Sequence, residues 1–204
     1  MQEIKETSYR NSLRDKILEA ALKAFTEKGI RAVKMDDIAT VLSISKRTLY
    51  ELYTDKEELV FQSITRYYKK RMEVQKNYAV NHNVMDIIIY AYGLQAKESQ
   101  VVCMQFYTDI QKYPRIVSYL EEKHRQSNEN LRSFLLRGVE EGYFRKDINY
   151  DLLPNLFDAI ERHIQSKGLY RDFSFRDLFS NLLLVPLRGF CTEKGLKVLE
   201  KAEF

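Results

Sequence analysis

The apolar positions of this chain repeat at helical spacing over most of its length. Leu13, Ile17, Ala21 and Phe25 recur every fourth residue with Leu18 beside them, which draws one apolar face along a first helix. "EKG" closes that helix, because Gly29 can take the left-handed conformation beyond its last turn. Gly142 in "EEGYF" and Gly168 in "QSKGL" carry the same stop signal. Two very short helices are predicted next, about Met35 to Leu42 and Ser45 to Tyr53, then a longer one from Asp55 towards Tyr78. Asp55 and Glu58 open the longer helix at capping-box spacing. Beyond residue 80 the pattern predicts helices near 84–97, 99–112, 114–141, 150–167 and 174–191. Strand signals are scarce, and Pro114 and Pro154 stand near helix starts, so the fold class is all-α.

The two short helices obey a tighter rule. Ala39 to Ile44 is five residues, Ile44 to Leu49 five more, and Leu49 to Leu52 three. That spacing suits two helices crossing steeply through a tight turn, with small Ala39 at the crossing: a helix-turn-helix. Ser45 is a good N-cap for the second of them. With Leu49 and Leu52 turned inward, Lys46, Arg47, Thr48, Tyr50 and Tyr53 are expected to share the outward surface. Arg and Lys can donate to guanine O6 and N7, and Thr and Tyr to phosphate oxygens. Lys56, opening the next helix, is placed to clamp a neighbouring phosphate. The bland reading is a solvated helix with incidental cations; the cap, the inward leucines, Tyr50 and Lys56 in one register weigh against it.

"KILEAALKAFTEKGIRAVKMDDIATVLSISKRTLYELYTDKEELV" resembles the DNA-binding domain of the tetracycline-repressor (TetR) family of transcriptional regulators. The likeness covers roughly residues 10–60 and lies in the order of its pieces: the helix ending at Gly29, "DDIA", the serine-capped "TLY" helix and the closing "DKEEL". It implies an N-terminal three-helix helix-turn-helix DNA-binding domain, residues 1–55, and a C-terminal helical effector-binding and dimerisation domain, residues 56–204. It further implies that Ser45, Lys46, Thr48, Tyr50 and Lys56 occupy positions that commonly contact DNA. The chain departs from the family pattern in three places. No hydroxyl is available to cap the second helix in "VKMDD", Ser43 stands where the turn usually carries glycine, and Glu51 and Leu52 replace a common aromatic–histidine pair.

The second half resembles the family far less specifically. "NLLLVPLRGF", Asn181 to Phe190, is apolar around most of its circumference, which calls for burial on two sides, the second against another subunit. Leu183, Leu187 and Phe190 of this helix, with Leu153, Phe157, Ile160 and Ile164 of the preceding one, are the expected homodimer interface. A central core helix of a monomer is the competing reading, and Pro186 is a candidate kink. The long helix after Pro114 has a polar middle on its inward stripe, at His124 and Asn128. Together with Tyr67, Tyr68, Tyr90, Phe106 and Tyr107, these residues are candidates to line a pocket for a small-molecule effector. A mid-helix stretch open to water, and aromatic residues filling an ordinary core, are the alternatives.

Composition narrows this picture only a little. Lys and Arg number 33 against 29 Asp and Glu, and within the first sixty residues the two signs balance at eleven each, so DNA binding rests on local placement. Cys103 and Cys191 stand far apart with no CxxC, which fits buried thiols in a reducing cytoplasm. "MQEIKETSYRNSLRDK" has no apolar core of a signal peptide, and "FSNLLLVPL" is too short to span a bilayer. His82, His124 and His163 form no metal motif, and glycine-rich phosphate loops are absent, so neither cofactor, metal nor enzymatic chemistry is expected. The expected function is a cytoplasmic, ligand-responsive repressor that binds a palindromic operator in double-stranded DNA as a homodimer. A helical small-molecule-binding or adaptor protein with an unused helix-turn-helix is the rival, and a helical enzyme the more distant one.

Overall fold

A computed structural model describes the backbone of residues 2–202 and the side chains of residues 9–202. The side chains of the first eight residues, part of the segment expected to lack a leader core, lie outside this set. Eleven α-helices account for most of the described chain: α1 (Gln2–Lys28), α2 (Met35–Val41), α3 (Lys46–Leu52), α4 (Lys56–Ala79), α5 (Val84–Ser99), α6 (Met104–Ile110), α7 (Pro114–Glu140), α8 (Leu153–Lys167), α9 (Phe175–Leu178), α10 (Leu184–Phe190) and α11 (Glu193–Lys201). They form two compact units. The first runs to Glu73 and takes in Val101–Leu120; the second holds Val74–Gln100 and the residues from Glu121 on.

The first unit is built around the face of α1 that the periodicity marked. Ile17, Ala21 and Phe25 are fully buried, and Ile30 and Val33 of the following loop, Ile38 and Ala39 of α2, Leu49 of α3 and Leu59, Val60 and Ile64 of α4 close over them. Gly29 ends α1 at φ +85°, and a side chain there would also meet the Gln105 side chain, its Cβ lying 2.6 Å from Gln105 Cγ. That close approach belongs to α6, which docks on the end of α1. Cys103 N–H donates to Thr26 O at 2.7 Å, and the buried Asp109 carboxylate accepts from Arg31 N–H at 2.8 Å and from the Gln105 amide at 2.7 Å. The expected helix at 99–112 therefore begins only at Met104, because the backbone before it is committed to α1.

In the second unit Val84 and Met85 of α5, Leu135 of α7, Leu184, Leu187 and Phe190 of α10 and Leu199 of α11 share a core with Phe144 and Tyr150. Two backbone bonds, Arg145 N–H to Phe190 O and Thr192 N–H to Tyr143 O, both at 2.9 Å, fasten the turn after α7 to the end of α10. Gly142 and Gly168 stop α7 and α8 at φ +79° and +62°. The predicted helix at 174–191 is real but interrupted: residues 179–183 form a π-helical turn between α9 and α10. Pro186 has no N–H for its helical partner, and a widened turn just before it relieves the mismatch. A further helix, α11, lies beyond the last one that the periodicity predicts. Its signal was Thr192, whose hydroxyl caps Gly195 N–H at 3.3 Å.

Candidate DNA interface

α2 and α3 are joined by Leu42–Ser45, and the joint is held by backbone bonds. Leu42 N–H donates to Ile38 O at 3.2 Å, Ser43 N–H to Thr40 O at 3.1 Å and Ile44 N–H to Ala39 O at 3.0 Å. To make them Ser43 adopts φ +54°, the one positive φ of a non-glycine residue among those described. An L-residue there carries a strain of about 1–2 kcal/mol. Ser45 caps α3: its Oγ accepts from Thr48 N–H at 3.0 Å and lies 2.8 Å from Thr48 Oγ1. Before α2, Lys34 gives no side-chain acceptor, and Asp37 instead reaches back to accept from Lys34 N–H at 2.8 Å. The acidic pair Asp36 and Asp37 also suits the positive end of the helix. At α4, Asp55 accepts from Glu58 N–H at 2.8 Å, while the Glu58 carboxylate turns to Gln62 and Arg115 and leaves the capping box half made.

Leu49 is fully buried, and Ile44 and Leu52 pack half-buried against the same cluster. Ser45, Lys46, Arg47 and Tyr50 are exposed together on the opposite side of α3, with Thr48 half-buried beside them. Tyr53, expected on that surface, is not there. Its side chain is 1% exposed, and its hydroxyl donates to Arg14 O of α1 at 3.4 Å. α3 ends at Leu52, Tyr53 at φ −138° is extended, and its ring is buried in the core cluster that α1 and α3 share. Lys56 is half-buried, and its Nζ donates to Arg31 O at 3.4 Å. Burial pulls this ammonium below the ordinary lysine range, against the opposing pull of Asp109 and Asp37.

Both cations of α3 are engaged within the protein. Lys46 Nζ bonds the Asp36 carboxylate, and Arg47 Nε donates to Glu51 Oε1 at 2.8 Å. The hydrogen bond and charge of Asp36 push Lys46 above its ordinary value, and Glu51 does the same for Arg47.

The candidate effector residues fall in both units. Tyr67, Tyr68, Phe106 and Tyr107 belong to the first unit, and Tyr90, His124 and Asn128 to the second. Phe106 is buried in the first core and is a packing residue. His124 and Asn128 are half-buried and hydrogen-bonded. The imidazole lies 3.1 Å from Asp158 Oδ1 and 3.2 Å from Glu161 Oε2, both on α8, and Asn128 Nδ2 sits 2.9 Å from His124 Nε2. Arg162 and then His124 hold Asp158 below the usual carboxylate range, whereas burial pushes Glu161 up. Tyr90 stacks on Tyr78 at 3.9 Å between centroids.

The candidate dimer residues also divide. Leu187 and Phe190 are buried in the core of their own unit and cannot face a partner. Leu153, Phe157, Ile160, Ile164 and Leu183 are half-buried. The apolar side chains that α8 and α10 leave outside are Leu156, 42% exposed, and Val185, 58% exposed. No described helix is long and apolar enough to cross a membrane.

Comparison with known proteins agrees with this geometry. Residues 17–62 match the family model of bacterial regulatory proteins of the tetR family. The chain is 29% identical over 163 residues to the HTH-type transcriptional repressor KstR2 of Mycobacterium tuberculosis, covering 70% of this chain and 74% of that protein. It is 25% identical over 171 residues to the HTH-type transcriptional regulator UidR of Escherichia coli, covering 79% and 86%. Among solved structures, a transcriptional regulator from Saccharomonospora viridis in complex with choline superposes with a TM-score of 0.70 at 19% identity, over 90% of this chain and 100% of that one. The KstR2 structure superposes at 0.56 with 24% identity, over 90% and 97%. A serine-capped helix with outward cations, set on a buried α1, lies within the segment that matches the tetR-family model, and the chain is a DNA-binding transcriptional regulator similar to members of that family.

Proposed function

We propose that this regulator is a ligand-responsive repressor that binds a palindromic operator as a homodimer. One observation carries the reading: Ser45, Lys46, Arg47 and Tyr50 stand exposed on one side of α3 while Leu49 opposite them is fully buried. Cationic donors on such a helix suit guanine edges in the major groove, and Ser45, Thr48 and Lys56 suit the flanking phosphates. In this reading residues 1–55 form the DNA-binding portion and residues 56–204 the effector-binding and dimerisation portion. The dimer surface is the outer side of α8 and α10 around Leu156 and Val185, with Leu153, Ile160, Ile164 and Leu183 at its margin. Two copies of α3 on a twofold axis would reach successive major grooves about 34 Å apart.

Support for repression comes from the mycobacterial relative, which is named a repressor, and support for a small organic effector from the choline held by the Saccharomonospora structure. The half-buried tyrosines Tyr67, Tyr68, Tyr90 and Tyr107 remain the proposed effector contacts. Any effector acts only through unequal affinity for two conformations. α4 is the natural carrier of that difference, since it begins at Lys56, just after α3 ends at Leu52.

Duplex fragments that the protein retains from its own genome provide the test. The expected result is tighter, less salt-sensitive binding to a retained fragment than to random duplex of equal length. Equal affinity and equal salt dependence for the two would overturn operator recognition.

A further inference from the structure

Lys46 and Arg47, the two cations of the recognition helix, each have a carboxylate of the same protein as a partner. The two carboxylates come from different places: Asp36 from the first turn of α2, and Glu51 from α3 itself, one turn beyond Arg47. Burial does not force either pair. The Lys46 and Arg47 side chains are 66% and 88% exposed, and those of Asp36 and Glu51 45% and 55%. Exposed pairs of this kind are cheap to open. The exposed end of the helix-turn-helix thus presents two positive and two negative charges and no net charge, in a region of the chain whose signs already balance.

We propose that Asp36 and Glu51 are specificity-determining residues that suppress binding to DNA of the wrong sequence. The inference rests on the reading of α3 as the DNA-contacting helix. On arbitrary duplex the gain available to Lys46 and Arg47 is contact with phosphate, and phosphate is one anion replacing another. The displaced carboxylate then stays beside the phosphates and is repelled by them, so little free energy is gained. At the operator the same two cations reach guanine O6 and N7, acceptors that the carboxylates do not mimic in number or direction. Glu51, released from Arg47, is itself placed to accept from a cytosine amine. Repulsion that applies everywhere, offset only where base edges match, is how discrimination arises without added affinity.

The test compares the wild type with Asp36→Asn, Glu51→Gln and the double variant, on a retained operator fragment and on random duplex of the same length, from low to moderate salt. Each single variant is expected to bind random duplex about 3–10-fold more tightly, with its salt slope steeper by about one unit as an extra cation becomes available to phosphate. Operator affinity should rise less, so the ratio of the two affinities falls, furthest in the double variant. A ratio that stays constant, or operator binding that weakens while random binding is unchanged, overturns the proposal; the latter would make Glu51 a base reader only. If the wild type itself shows no preference for the operator fragment, the DNA reading of α3 fails and takes this inference with it. A wild type with strong preference and variants that keep it defeats this inference alone. Far-UV circular dichroism of each variant checks that the fold is unchanged.

Discussion

Two exposed surfaces of this protein present opposite physical problems. The outer side of α3 is charged, and every cation on it already has a carboxylate partner within the chain. The outer side of α8 and α10 leaves the apolar Leu156 and Val185 exposed. The first surface can meet an anion and withdraw again at little cost, because exposed ion pairs exchange partners readily. The second gains free energy only by being buried. The proposed homodimer would use this division, the apolar side for assembly and the charged side for reversible contact with DNA.

The largest expected effect breaks the apolar side. Leu156→Asp with Val185→Asp places unpaired charge where two copies would meet, and should raise the dimer dissociation constant about 100-fold or more. Analytical ultracentrifugation at micromolar concentration would then show a folded monomer, and an unchanged mass would remove α8 and α10 from the interface. Next in size, Lys46→Ala with Arg47→Ala should weaken operator binding about 10–100-fold while the dimer mass stays the same. Fluorescence anisotropy titration checks it, and undiminished binding would divorce the charged side of α3 from DNA.

A third change sharpens the comparison by testing what fixes the loop between α1 and α2 in place. Burial raises the Asp109 carboxyl, but hydrogen bonds from Arg31 N–H and the Gln105 amide, with the Lys112 charge, outweigh it and hold the group below its ordinary value. Asp109→Ala leaves those donors unanswered and should cost about 1–3 kcal/mol at neutral pH. A folded-state value below the unfolded one gives stability that is full above the ordinary carboxylate range and lost as pH falls through the folded value. The gap between wild type and variant in urea melts should therefore close on acidification. A gap that persists unchanged below the carboxylate range would deny the ionised Asp109 its role. The smallest effect is Ser43→Gly, which relieves the positive φ in the turn and should stabilise by about 0.5–1 kcal/mol, read as a rise in the urea midpoint. A lower midpoint would show that the serine side chain matters more than the backbone strain.

The same contrast explains what could be read from the sequence. Local grammar was legible: the Ser45 cap, the three helix-ending glycines and the bounds of α2 and α3 each depend on a few neighbouring residues. Features set by distant parts of the chain were not. Tyr53 is drawn inward by Arg14, 39 positions away, and the start of α6 is set by a bond to Thr26. Periodicity gave the α10 helix two apolar sides, but it carries no label for which side faces its own core, and Leu187 and Phe190 face inward. The polar middle of α7 was visible, yet its partners Asp158 and Glu161 lie on a helix thirty or more residues further on. The Asp36–Lys46 pair is of the same kind, since it joins two helices through a turn.

The most direct measurement is the reactivity of guanine N7 in a retained operator fragment towards dimethyl sulfate, because N7 lies in the major groove. If the outward side of α3 enters that groove, guanines in two half-sites about one helical turn apart become protected, and Arg47→Ala restores reactivity at one position in each half. Guanines that react as fast in the complex as in free DNA, while the protein stays bound, would place α3 outside the major groove and contradict the account.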